Sequence, residues 1–264
     1  MLRFCSLYSG SSGNSLFVQT QNTKILIDAG ESAKKIVNAL ASINVDAKDI
    51  NAILVTHEHK DHIKGLGTLS QKYNIPVYAN AETWDAMPDQ SIKITNENKN
   101  KFIINEDFAI NDLIISSFKI PHDAANPCGY NITYKDNKIS IATDLGHINE
   151  EIFHKLEKSS FVLLEANYEP EMLDVSPYPY LLKQRIKGPN GHLSNKTAGK
   201  TISNLIHSGL KNVMLGHLSK ENNFPELAYK TVVEELIENK FDENAIKLGV
   251  ASRTNPSPII EIAN

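Results

Sequence analysis

The chain has 264 residues, 41% apolar and 22% charged, with a formal net charge of -4 and a pI near 6.1. That is enough chain for one large α/β domain whose core needs no staples, and two cysteines, Cys5 and Cys128, are too few for a disulfide framework. An acidic balance excludes nucleic-acid binding through bulk positive charge, so any such contact must be local or carried by bound cations.

The N-terminus, MLRFCSLYSGSSGNS, has no basic region followed by a long apolar stretch. Neither a signal peptide nor a membrane span is expected, and the protein reads as cytoplasmic. RFCSLYS, NSLFVQT and TKILIDAG are short runs parted by SGSSGN and QN, which is turn chemistry. They predict a meander of three strands ending at Asp28. ESAKKIVNALASI carries Ala33, Ile36, Val37, Leu40 and Ile43 at helical spacing. A strand follows at Ala52 to Val55, then a histidine-rich loop, a helix through LGTLSQKY, a strand at IPVYAN and a short helix at AETWDAM.

Residues 92–143 read as β again: IKIT, KFIIN, FAIN, LIISSFKI, GYNITYKD and KISIATD, with the polar NENKNK, 96–101, as an exposed loop. The second half alternates. INEEIFHKLEK is a helix, FVLLEAN a strand, and QRIKGPNG, 184–191, an irregular segment. SNKTAGKTISNLIHSG is a helix capped by Ser194 and stopped at Gly209. KNVMLGH is a strand, PELAYKTVVEELIENK a helix, and IKLGVA and SPIIEI close the chain. The order β-rich, α/β, β-rich, α/β describes two similar halves, each a sheet with outer helices. A four-layer αββα sandwich in a single domain over 1–264 fits it, with no linker and no added nucleic-acid-binding domain.

One stretch carries chemistry. VTHEHKDH, 55–62, puts His57, His59, Asp61 and His62 into six positions straight after an apolar run. Residues 57 and 59 share one side of an extended segment, and 61 and 62 follow as the chain turns into a helix. One extended pair and one turned pair can serve two adjacent metals. Imidazole and carboxylate suit zinc, iron or manganese, and the lack of a thiolate disfavours a structural zinc finger. A solvated loop with chance histidines fits such density poorly. Three later residues, His122, Asp144 and His217, each follow a predicted strand. Singly each reads as an ordinary turn residue; together they complete a set of five histidines and two aspartates.

With these residues in view, the chain resembles the metallo-β-lactamase superfamily. HEHKDH matches its HxHxDH motif; His122, Asp144 and His217 match its later ligands in order; and GSSGNS and LIDAG match its early motifs. The resemblance implies two divalent ions, one held by His57, His59 and His122, the other by Asp61, His62 and His217, with Asp144 bridging and water activated between them. Asp61 is then both a ligand and a catalytic carboxylate. Asp28 is expected to brace a ligand rather than bind metal.

Fold and metals leave the reaction open. PHDAANPCGY, EANYEPEML, LLKQRIKGPNGHLSN and LGHLSKENN resemble the YycJ/WalJ-type subgroup, which implies 5′-to-3′ exonuclease action on double-stranded DNA in repair. His192 in GHLSN then contacts the scissile phosphate or protonates the leaving oxygen; without the resemblance it reads as a loop histidine before a helix. Arg185 and Lys187 are candidate phosphate contacts, though an exposed basic surface explains them nearly as well. Ser194 and Asn195 open a helix, where backbone N–H groups can receive a phosphate, but capping equally explains Ser194. Trp84 and SPYPYL, 176–181, have the aromatic character to stack bases, with ordinary packing the simpler reading. His147 and His154 read as loop and surface residues, and His207 fits the end of a helix. The alternative is a phosphodiesterase acting on small cyclic or nucleotide esters; a glyoxalase-type thioester hydrolase and a non-catalytic scaffold come after it.

Overall fold

The computed structural model describes residues 1–242 and 244–262, and the chain forms two compact units interleaved in sequence. The first takes residues 1–119, 124–137 and the chain from 252 on; the second takes 120–123 and 138–251.

In the first unit, the N-terminal meander is β1 (Leu2–Tyr8), β2 (Ser15–Gln19) and β3 (Lys24–Ile27), antiparallel, with Cys5 opposite Phe17 and Phe17 opposite Leu26. Their apolar side chains are fully or almost fully buried, which is why the runs read as near-continuous rather than alternating. Ser32 caps α1 (Ala33–Ser42) by accepting from the Lys35 N–H, and α1 buries Ile36, Ala39 and Leu40 in the core. Burying each of those larger side chains contributes on the order of 1.5–3 kcal/mol. Then follow β4 (Ala52–Leu54), α2 (Lys60–Ile63), α3 (Leu66–Tyr73), β5 (Val77–Ala79), α4 (Ala81–Ala86), α5 (Pro88–Ser91) and β6 (Lys99–Lys101). Strands β3 to β6 run parallel, and the C-terminal strand Ile260–Ile262 pairs antiparallel with β1. A further antiparallel ribbon holds β7 (Asp107–Ile110), β8 (Leu113–Lys119) and β9 (Cys128–Tyr134).

The second unit is built on a parallel run of β10 (Asn137–Ala142), β11 (Phe161–Glu165), β12 (Asn212–Gly216) and β13 (Lys247–Val250). Its helices are α6 (Glu150–Leu156), α7 (Pro170–Val175), α8 (Tyr180–Lys187), α9 (Asn195–His207) and α10 (Pro225–Glu238); the strand Ile260–Ile262 is β14. Ser194 caps α9 through the Thr197 N–H, and Gly209 follows it at φ +95°, a left-handed turn that glycine adopts without strain.

Four local expectations differ from the structure. IKIT is not a strand: Pro88 starts α5, and the chain leaves it through turns that expose Ile92. NENKNK is not a plain loop. Its last three residues are β6, an edge strand whose polar composition an edge tolerates, and Asn98 is buried, donating to Asn74 Oδ1 at 2.8 Å. KFIIN contributes only its first residue to that strand. QRIKGPNG is helical through Lys187; Gly188 and Pro189 end α8 rather than disorder what precedes them. Trp84 is buried, with its indole N–H donated to the Asn100 carbonyl, so it packs and is not placed to stack bases. Among the described residues no helix is long and apolar enough to cross a membrane.

Candidate functional site

In the first unit, β4 delivers the chain into residues 55–59, which bend at Thr56 and end extended at His59, and α2 starts immediately after it. The His57 ring has the His59 ring edge-on at 4.6 Å and the His62 ring at 4.1 Å between centroids. His57 and His62 are fully buried, so these imidazoles are packed into the unit and not draped over it. The two early motifs hold this turn. Asn14, from GSSGNS, donates its N–H to the Asp61 carbonyl at 2.8 Å, and Ala29 donates to the His62 carbonyl at 2.7 Å. A Cβ on Gly30 would lie 1.6 Å from the Asp61 carbonyl oxygen, so only glycine lets the LIDAG turn approach so closely.

Asp28 stands at the end of β3 with φ +62° and is buried. Its carboxylate accepts the Thr56 N–H and Thr56 Oγ1–H, both at 2.8 Å, and lies 2.7 Å from His62 Nδ1. Because Thr56 Oγ1 gives its proton to Asp28, it is an acceptor toward His57 Nδ1 at 3.0 Å. Thus Nδ1 of both buried histidines is engaged, which makes each Nε2 the candidate ligand atom. His62 Nε2 faces Asn14 Nδ2 at 3.1 Å and Asp61 Oδ2 at 3.6 Å.

The second unit repeats the device. Parallel pairing puts the ends of β10, β11 and β12 along one edge, with Leu164 opposite Leu215 and Glu165 opposite Gly216. Asp144 at φ +60° and His217 at φ +55° follow two of these ends; Glu165 is the last residue of the third. Left-handed backbone at non-glycine residues clusters at functional sites, and here it turns side chains back over the strand ends. Ligand atoms of Asp144, Glu165, His192 and His217 all lie within 4.8 Å of one another. Glu165 Oε1 meets His192 Nδ1 at 2.8 Å and His217 Nδ1 at 2.9 Å, while Oε2 accepts the N–H groups of Leu145 at 3.0 Å and Leu193 at 3.1 Å. His217 Nε2 faces Asp144 Oδ1 at 3.2 Å. His122 Nδ1 is 3.3 Å from the Gly191 carbonyl, again leaving Nε2.

Burial opposes ionisation of Glu165, but the adjoining His192 and His217 outweigh it and hold the carboxyl well below the usual range. Burial likewise lowers His192, and Glu165 outweighs it, so this imidazole is raised and more readily charged. For His122 burial prevails over Asp144 and favours the neutral ring, the form that ligates metal.

Across both units the donors suit divalent cations. Four imidazoles, at 57, 62, 122 and 217, have Nδ1 engaged by a carboxylate, hydroxyl or carbonyl, which is how proteins orient metal-binding histidine. Asp61 stands beside Nε2 of His62 in the first unit and Asp144 beside Nε2 of His217 in the second, pairings that a divalent cation would explain in each. The Asp28→Asn variant is expected to bind metal about 10- to 100-fold more weakly, since it loses the charge behind His62. Titration of chelator-treated protein with zinc checks this, and unchanged affinity would refute it.

The candidate substrate residues fare unevenly. His192 is placed beside Asp144 and His217. Arg185 pairs with Asp123 and Lys187 with Asp174, both on the exposed last turn of α8. Ser194 caps α9. Asn195 is a correction: it is fully buried, gives its N–H to the Tyr168 carbonyl and its side chain to Glu169 and Asn223, and so has nothing left for a phosphate. His147 meets the Pro189 carbonyl, His154 pairs with Glu157, and His207 packs on Phe241. Cys128 is buried at the start of β9, where burial pushes its thiol up to about 12, so it is no thiolate ligand. Glu165 escapes sequence reasoning; its one signal is a carboxylate closing a strand of otherwise apolar, fully buried residues.

A family model described as the beta-lactamase superfamily domain matches residues 23–217. The chain is 40% identical over 236 residues to Exodeoxyribonuclease WalJ of Streptococcus pneumoniae, covering 89% of this chain and 88% of that protein. It is 38% identical over 240 residues to Exodeoxyribonuclease YycJ of Bacillus anthracis, covering 91% of each. The crystal structure of the metallo-beta-lactamase fold protein YhfI from Bacillus subtilis superposes with a TM-score of 0.71 at 16% identity, over 97% of this chain and 98% of that one. With its motifs, its strand-end donors and these relatives in accord, the chain belongs to the metallo-β-lactamase superfamily and has its αββα fold.

Proposed function

We propose that this protein is a metal-dependent phosphodiesterase that removes nucleotides from the 5′ ends of double-stranded DNA, working in the cytoplasm in DNA repair as a single catalytic domain. The observation that carries this reading is the Glu165–His192 pair beside Asp144 and His217, in a chain 40% identical to a protein named an exodeoxyribonuclease. The residues that would hold two cations, zinc or manganese with iron as a third choice, are His57, His59, Asp61 and His62 from the first unit and His122, Asp144 and His217 from the second.

Cations bound there would supply Lewis-acid stabilisation of phosphoryl charge and would acidify water. Asp61 and Asp144 keep the local charge balanced. His192 does work of its own: Glu165 fixes its Nδ1 and raises its proton affinity, so the opposite ring edge offers a proton to the leaving oxygen or a charged contact to the scissile phosphate. Arg185 is 61% exposed in its side chain, and a surface ion pair such as Arg185–Asp123 is worth about 0–1 kcal/mol, so a phosphate can take its place.

The test is a duplex labelled at the 5′ end, incubated with protein reloaded with manganese, beside a small nucleotide diester. Label released as short products from the DNA is the expected result. Hydrolysis of the small diester with the duplex left intact would keep the metal chemistry and remove DNA as the substrate.

A further inference from the structure

The segment joining α7 to α8 has a surface that the catalytic reading leaves unused. Val175, Leu181 and Tyr180 are 86%, 79% and 72% exposed, three of the four most exposed large apolar side chains among the described residues. Scattered singly such residues need no explanation, but here they fall within seven positions. No residue of α8 is buried, although Tyr180, Leu181, Leu182 and Ile186 are half of it. Ordinary packing therefore does not account for Tyr180.

The charge of this stretch is also distinctive. VSPYPYLLKQRIKGPN, 175–190, has three cations, Lys183, Arg185 and Lys187, and no acid, in a chain of net charge -4. Their acidic partners, Asp174 and Asp123, lie outside it and make only exposed pairs.

Its far end is tied to His192. The His192 N–H is donated to the Ile186 carbonyl at 3.0 Å and that of Gly191 to Gly188 at 2.9 Å. A Cβ on Gly191 would lie 2.2 Å from the Ile186 carbonyl, so the loop closes tightly on the helix end. Tyr180, seven residues before Lys187, is roughly 10 Å up the helix axis, about three stacked base steps. A polymer with its phosphate at His192 thus has the end of α8 beside it.

We propose that this ridge is a base-stacking rest for the end of the DNA strand being processed: Tyr180 and Leu181 pack on exposed terminal bases while Lys183, Arg185 and Lys187 follow the phosphates. It rests on the DNA exonuclease reading and adds the part of the substrate that the metal donors do not touch. Aromatic faces plus a cationic track form the usual surface for bases without sequence preference.

The experiment uses the metal-loaded protein and a duplex with 2-aminopurine as its 5′-terminal base and phosphorothioate terminal linkages, which slow cleavage. Binding is expected to quench the 2-aminopurine. Y180A is expected to weaken binding about 5- to 100-fold and abolish the quench, while Y180F keeps both, because the ring face and not the hydroxyl does the stacking. Tyr180 is exposed, so the melting temperature of Y180A reports directly that the fold is intact. Equal affinity and quench in Y180A, with duplex still cut by the unaltered protein, would overturn the ridge and leave the exonuclease standing; a protein partner would then be the better occupant. An unaltered protein that neither binds nor cuts duplex, yet hydrolyses a small diester, would overturn the exonuclease reading and the ridge with it.

Discussion

His59→Ala is expected to leave a folded protein that cuts duplex DNA about 1000-fold more slowly or not at all. The ring of His59 is partly exposed and meets His57 edge-on, so its removal takes little from the core. What it removes is a donor from a set in which each imidazole stands with others, and a lost share of Lewis-acid stabilisation worth several kcal/mol appears at a tenfold rate for each 1.36 kcal/mol or so. Two measurements check it: the initial rate on 5′-labelled duplex, and bound metal per chain by elemental analysis. A variant with full metal content and full rate would remove His59 from the ligand set.

Glu165→Ala is expected to cost both stability and activity, the only one of these substitutions to do so at scale. The carboxylate is fully buried and takes four donors: two imidazoles and the N–H groups of Leu145 and Leu193. Removing one partner of such a network costs about 3–5 kcal/mol, because the groups left behind stay buried without their counter-charge. At roughly 2–4 °C per kcal/mol for a chain of this size, the melting temperature falls by about 10 °C. Activity falls about 10- to 100-fold further, since His192 and His217 lose the group that orients them. Glu165→Gln should rescue poorly: its amide puts a donor where every neighbour also donates. Thermal unfolding and cleavage rates on the three proteins decide it; an alanine variant that melts and cuts like the unaltered protein would show that the histidines are held by something else.

The two variants differ in how visible their residues are in the sequence. His59 is legible because ligand atoms crowd into six positions after an apolar strand, a density that ordinary turns do not need. Asp144 and His217 are legible only through the family pattern, since each alone is an unremarkable residue at a strand end. Glu165 has no local signature beyond its place at the end of β11, and its partners lie 27 and 52 residues away. The same holds for the misread segments: polar NENKNK becomes an edge strand because pairing with β5 satisfies its backbone, and QRIK becomes helix because Gly188 and Pro189 act after it.

By itself the sequence determined the strand meander, the helices with clear apolar spacing, the cap at Ser194, the stop at Gly209 and the metal-capable motif, all of which depend on neighbours a few positions apart. Tertiary structure alone decided that Asn195 is spent on packing, that Tyr180 is bare, and that one buried carboxylate governs two histidines. Those outcomes depend on which distant groups share a small volume of low dielectric, where a charge must find its partners.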